Sequence, residues 1–165
     1  MKGFTIGALG RLGLVLLLGV LATACSSINY YPNTLDKNVL VKTTLGSGSM
    51  FSDISAHLHV YSINNQCEQA HLGAVALDKP EVEVGIATGK PVVIEVAFGR
   101  GGGFFSSSSS VTRVETLLTP KKNFFYEVNA SYVDGIYDFE VFEKKQRNAR
   151  GRLLPMVHSS SCKSK

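Results

Sequence analysis

The sequence predicts an all-β fold, a small antiparallel β-sandwich of about seven to eight strands, preceded by a signal peptide and a short tether. Three observations carry this. From residue 39 onward apolar and polar residues alternate with period two, which puts one face of a strand inside and the other in water. Clusters of Gly, Pro, Asn and Asp interrupt the alternation roughly every 8–12 residues, as in sandwiches with short strands. Helical periodicity is scarce. A length of 165 residues, 44% hydrophobic and 18% charged, suits one domain plus a targeting segment. Tryptophan is absent, so nine Phe and six Tyr supply the aromatic core mass.

Taken in order, Val39–Leu45 is the first strand, and Ile54–Ser62 the second, with Ala56, Leu58 and Val60 on one face. Asn64-Asn65 marks a turn, and His71–Leu77 and Glu81–Ile86 follow, separated by Asp78-Lys79-Pro80. After the Gly89-Lys90-Pro91 turn, Pro91–Phe98 places Val92, Ile94, Val96 and Phe98 on one face. Val111–Thr119, Phe124–Val133 and Ile136–Glu143 complete the set. Asp134-Gly135 is the strongest hairpin signal, because glycine supplies the positive φ of a tight turn. Tyr126, Val128, Ala130 and Tyr132 are expected to face Tyr137, Phe139 and Val141 across the core. The run Gly99 to Ser110 is rich in Gly and Ser and is expected to be a flexible loop carrying Phe104 and Phe105, which either dock back or serve as a contact.

The first residues read differently. Lys2 and Arg11 flank small residues, and Leu12 to Val20 is uninterrupted apolar sequence, well under the ~20 residues of a spanning helix. It ends in Leu21-Ala22-Thr23-Ala24-Cys25. Ala22-Thr23-Ala24-Cys25 resembles the lipobox of bacterial lipoprotein signal peptides, with the bulky aliphatic residue displaced by one place to Leu21. The resemblance implies cleavage before Cys25 and acylation of its thiol; ordinary secretion with a free Cys25 is the alternative. Two or three acyl chains would hold the protein lastingly on a bilayer, since each buried methylene contributes about 0.8 kcal/mol. Ser26, in place of an Asp, implies the outer membrane by the same resemblance. Residues 1–24 are thus the signal peptide, 25–38 a tether and 39–165 the domain with a polar C-terminal tail.

With Cys25 acylated, Cys67 and Cys162 remain, an even pair in an oxidising compartment, and they are expected to form a disulfide. Removing Lys2 and Arg11 from the net charge of +4 leaves about +2, too weak and too evenly spread for nucleic acid. The basic run Lys144, Lys145, Arg147, Arg150 and Arg152 reads as a solvated surface segment.

Few residues suggest chemistry. His57 and His59 lie on one side of a strand, about 7 Å apart at Cα, a spacing that can bind metal, with His71 as a possible third ligand. No carboxylate pattern accompanies them, so solvent-facing histidines are the simpler reading and no cofactor is expected. Gly46-Ser47-Gly48-Ser49 lacks the strand–turn–helix frame of a nucleophile elbow, and Gly99-Arg100-Gly101-Gly102-Gly103 lacks the helix and Lys-Ser/Thr pair of a phosphate loop. Glu81, Glu83 and Glu95 read as the wet face of a sheet. Asn129-Ala130-Ser131 fits a glycosylation sequon but is idle in a bacterium. Gly73 to Phe98 resembles the small PEGA-like β-sandwich modules of bacterial surface proteins, which implies the fold class and no functional residue. The expected function is a membrane-anchored, non-catalytic structural, assembly or binding role in the envelope. Its partners would be the bilayer and possibly another envelope protein. A periplasmic metal-binding protein or hydrolase using His57, His59 and His71 is the alternative.

Overall fold

The computed structural model describes residues 29–32, 34–46, 54–100 and 110–162. Cys25, Ser26, the signal segment, Ser47–Ser49, Phe104 and Phe105 lie outside them. Among the described residues nine strands run in chain order: β1 Val39–Gly46, β2 Ile54–Ile63, β3 Gln69–Ala76, β4 Glu81–Val84, β5 Val92–Arg100, β6 Ser110–Leu118, β7 Phe125–Val133, β8 Ile136–Lys144 and β9 Arg152–Leu153. They form a five-stranded sheet, β4-β1-β7-β8-β9, and a four-stranded sheet, β3-β2-β5-β6. The all-β sandwich is therefore the fold.

Alternation decides which residues meet between the sheets. Leu58, Val60, Ile94 and Val96 from one sheet and Val41 and Val128 from the other are all fully buried in one cluster. Burying a side chain of this size contributes roughly 1.5–3 kcal/mol, so these few positions dominate the stability.

Several expectations need correcting. The sandwich is not wholly antiparallel: β1 and β7 pair in parallel, Val39 opposite Tyr126 through Gly46 opposite Val133. A parallel pair needs a long crossover, and here strands β2 to β6 supply it. β7 and β8 do not face each other across the core. The Asp134-Gly135 turn, with φ of 52° and 83°, makes them hydrogen-bonded neighbours, so Val128 lies beside Val141 and Ala130 beside Phe139. Both rows share one inner face, and Tyr137 at the tip is exposed. Strand β9 was too short for alternation to reveal. The Gly99–Ser110 loop is also shorter than expected, because Arg100 pairs with Ser110 in the β5–β6 ladder.

The tether is shorter too. Tyr30 bridges Ala74 in parallel, Ala74 N donates to Asn29 O at 2.8 Å and Tyr31 N donates to Ala74 O at 2.9 Å. Tyr31 is buried in the core cluster. Asn38 then fastens the chain further on, its side chain donating to Ile86 O and accepting from Ile86 N, both at 2.8 Å. An apolar ring and a set of satisfied amides thus draw residues 29–31 and Asn38 onto the domain.

At the other terminus a strap runs along edge strand β6 of the smaller sheet to the β2–β3 turn. Leu117 N donates to Val157 O at 2.7 Å, and Cys162 is bonded to Cys67 with Cα atoms 5.8 Å apart. Val157 sits on edge strand β6 and Cys67 in the β2–β3 turn, with β5 between them. Val93 points outward between Tyr61 and Leu117, on the stretch between these two anchors, yet is fully buried. The expected disulfide is present.

Candidate functional site

The outward face of the smaller sheet gathers most of the chain's unusual polar groups. In β2, residues 57, 59 and 61 point away from the core. His57 lies opposite Ala76 and Ala97, His59 opposite Ala74 and Glu95, and Tyr61 opposite His71 and Val93. From β6, Arg113 lies opposite Ala97 and Glu115 opposite Glu95.

His71 reaches this face through a bulge. The β2–β3 register shifts between Val60 and Tyr61, so that Val60 pairs with Gly73 but Tyr61 with His71. One extra residue, Leu72, is thereby left unpaired. In an unbroken ladder His71 would oppose Ser62 and point inward; the extra residue reverses its side. Gly73 permits the distortion, with φ of 140° and with Tyr31 Cα only 2.5 Å from where a Cβ would sit.

The three imidazoles converge around His59. Its ring centroid is 5.3 Å from that of His71 and 6.4 Å from that of His57. His59 Nδ1 and His71 Nε2 are 3.1 Å apart, so one ring donates and the other accepts. Tyr61 packs against both, 4.9 Å from His71 and 6.4 Å from His59 between centroids. Its hydroxyl donates to Glu95 Oε1 at 3.4 Å, and Arg113 Nε lies 3.5 Å from the same oxygen. Glu95 is buried, which corrects its expected place on a wet face. Glu81 and Glu83 are exposed, as expected.

Electrostatics follow from this crowding. Burial lowers the His59 pKa, and the neighbouring His71, His57 and Arg113 lower it further. Burial raises the Glu95 carboxyl, which the Arg113 charge and the Tyr61 hydroxyl only partly offset. Burial and the Glu95 charge raise Tyr61, so its hydroxyl keeps its proton and remains a donor. The face therefore sets the His59 imidazole, its pKa lowered, near a buried carboxylate, Glu95, whose pKa is raised.

His158 from the strap joins the edge of the face. Its Nδ1 lies 3.1 Å from Glu115 Oε1, and the Ser159 hydroxyl donates to that same oxygen. A serine, a histidine and a glutamate thus meet, but in the wrong order for nucleophilic catalysis. An activated serine donates to imidazole; Ser159 donates to the carboxylate. Among the described residues, no three His, Cys, Asp or Glu side chains are arranged as a ready metal-ligand set.

The larger sheet carries a cleft of about 480 Å³ whose lining includes Lys42, Glu83, Phe125, Glu127, Lys144 and Arg147. Several of its charges pair with one another, whereas Lys37 Nζ in the lining is buried without a hydrogen-bond partner among the described residues. Glu127 Oε2 accepts from Lys144 at 2.8 Å and sits 3.1 Å from Lys42, while Arg147 bonds Glu83 and lies 5.3 Å over the Phe125 ring. The basic run lies mostly exposed on the surface, as expected, and Lys144, Arg147 and Arg152 within it are ion-paired.

Sequence reasoning found His57, His59 and His71 but missed Tyr61, Arg113, Glu115 and His158. The alternation of His57, His59 and Tyr61 was a visible signal. Joining it to Arg113 and Glu115 requires knowing that β5 separates β2 from β6. No protein-family model matches the chain, and no match was found among curated proteins or solved structures.

Proposed function

We propose that this chain is a lipid-anchored protein of the bacterial envelope with a non-catalytic binding or assembly role, held on the outer membrane through acylated Cys25. The Cys67–Cys162 disulfide carries the reading. A disulfide of this kind belongs to an oxidising compartment, and it leaves Cys25, at the end of the lipobox-like Ala22-Thr23-Ala24-Cys25, as the remaining cysteine. The short tether fits the same picture. Three residues separate Cys25 from Asn29, which pairs with β3, and the four Cα–Cα steps span about 14 Å at most. The domain would then sit close over the bilayer, with the histidine face available to another envelope component.

Fractionation tests this. The wild-type chain should partition with outer membranes and require detergent for release, whereas Cys25→Ser should appear in the soluble periplasmic fraction or stall as a precursor. A wild-type chain recovered soluble after osmotic shock, or turning over an envelope polymer, contradicts the proposal.

A further inference from the structure

We propose that His59 and His71 chelate one divalent transition-metal ion, with Cu(II) held more tightly than Zn(II), on the outward face of the smaller sheet. This goes beyond the envelope reading and does not depend on the anchor. The carrying observation is the 3.1 Å separation of His59 Nδ1 and His71 Nε2. Two imidazole nitrogens each 2.0–2.1 Å from a common ion stand roughly 2.9–3.4 Å apart for angles between 90° and tetrahedral. The pair already has that spacing, so small ring rotations turn a nitrogen–nitrogen hydrogen bond into a chelate.

Two further features favour an ion here. The bulge at Leu72 turns His71 toward His59 when the plain ladder would have pointed it inward, and bulges recur where a side chain is re-aimed for function. Tyr61 packs against both rings, which fixes their planes and lowers the entropy lost on chelation. Arg113 opposes a cation, but its guanidinium is matched by Glu95 at 3.5 Å.

With two protein ligands, water occupies the remaining positions. That open coordination suits Cu(II) or Zn(II) better than a hard ion such as Mg(II), which prefers oxygen donors, and the ordinary stability order puts Cu(II) first. His57, with its ring 6.4 Å from that of His59, lies beyond the chelating pair. His158 sits with Glu115 on β6.

The purified full chain, in detergent micelles, is titrated with CuCl₂ and separately with ZnCl₂ by calorimetry, with Cu(II) electron paramagnetic resonance as the second readout. The expected result is one Cu(II) per chain with two equatorial nitrogens, displaceable only by excess Zn(II). His59→Gln and His71→Gln should each weaken binding at least about tenfold, and His158→Gln should leave it unchanged. His71 is exposed, so His71→Gln keeps the fold, which near-ultraviolet circular dichroism verifies. No saturable binding by the wild type, or wild-type binding by His71→Gln, overturns the proposal.

Discussion

Glu143 shows how much one residue can hold together. Its carboxylate is buried and accepts from Arg152 Nη2 at 2.8 Å, from Lys121 Nζ at 3.1 Å and from the Tyr126 hydroxyl at 3.2 Å. Tyr126 is itself among the largest fully buried side chains. Glu143→Ala would strip its hydroxyl of that acceptor and should cost about 1–3 kcal/mol in urea unfolding. The acid dependence has a definite sign. Burial works to raise Glu143, but hydrogen bonds from Lys121 and Arg152 outweigh it and hold the pKa below the ordinary 4.5. Glu127 is held low in the same way, by Lys144 and Lys42 against its burial. A folded-state pKa below the unfolded one means the folded chain binds fewer protons. Both groups therefore contribute stability that is complete above about pH 4.5 and lost as pH falls through their folded values. Urea midpoints should drop on acidification below that point, and less steeply in Glu143→Gln. An equal acid slope in that variant would contradict the assignment. Neither residue was legible as a network member, since its partners lie on other strands and loops.

At the scale of elements, period-two alternation was enough to place β1 to β8 to within a few residues. Ala56-x-Leu58-x-Val60 and Val92-x-Ile94-x-Val96 each state their buried face outright. What alternation cannot express is pairing. Nothing local in Val39–Gly46 says that it lies parallel to Phe125–Val133, and nothing in His71-Leu72-Gly73 announces a bulge. The inward-or-outward sense of His71 was illegible for that reason. Two glycines separate the kinds of constraint involved. Gly135, in the hairpin turn with φ of 83°, has open space where a Cβ would stand, whereas Gly73 has the Tyr31 backbone there. Gly135→Ala should cost only the conformational term, about 1–2 kcal/mol. Gly73→Ala adds a backbone clash and should cost about 2–4 kcal/mol, displacing Asn29–Tyr31 from β3. Hydrogen exchange at the Tyr31 amide reads the difference, and protection there unchanged in Gly73→Ala would refute the close approach.

For the molecule as a whole, the two ends of the chain matter more than their polar composition suggested. Tyr31 enters the core from the N-terminal side, and the strap from Val157 to Cys162 links edge strand β6 to Cys67. The disulfide spans a sequence separation of 95 residues, and closing a loop of that length contributes about 4–5 kcal/mol in the chain-entropy picture. Reduction should lower the urea midpoint accordingly. The pairing of Cys67 with Cys162 was legible from counting cysteines; the path of the strap was not, because a tail rich in Ser and Lys gives no hydrophobic pattern.

The intact mass of the mature protein, measured with and without reductant, tests the account most directly. The expected mass is that of the chain beginning at Cys25 with two or three acyl chains added, rising by two hydrogens on reduction. An unmodified N-terminal Cys25, or a mass unmoved by reductant, would contradict it.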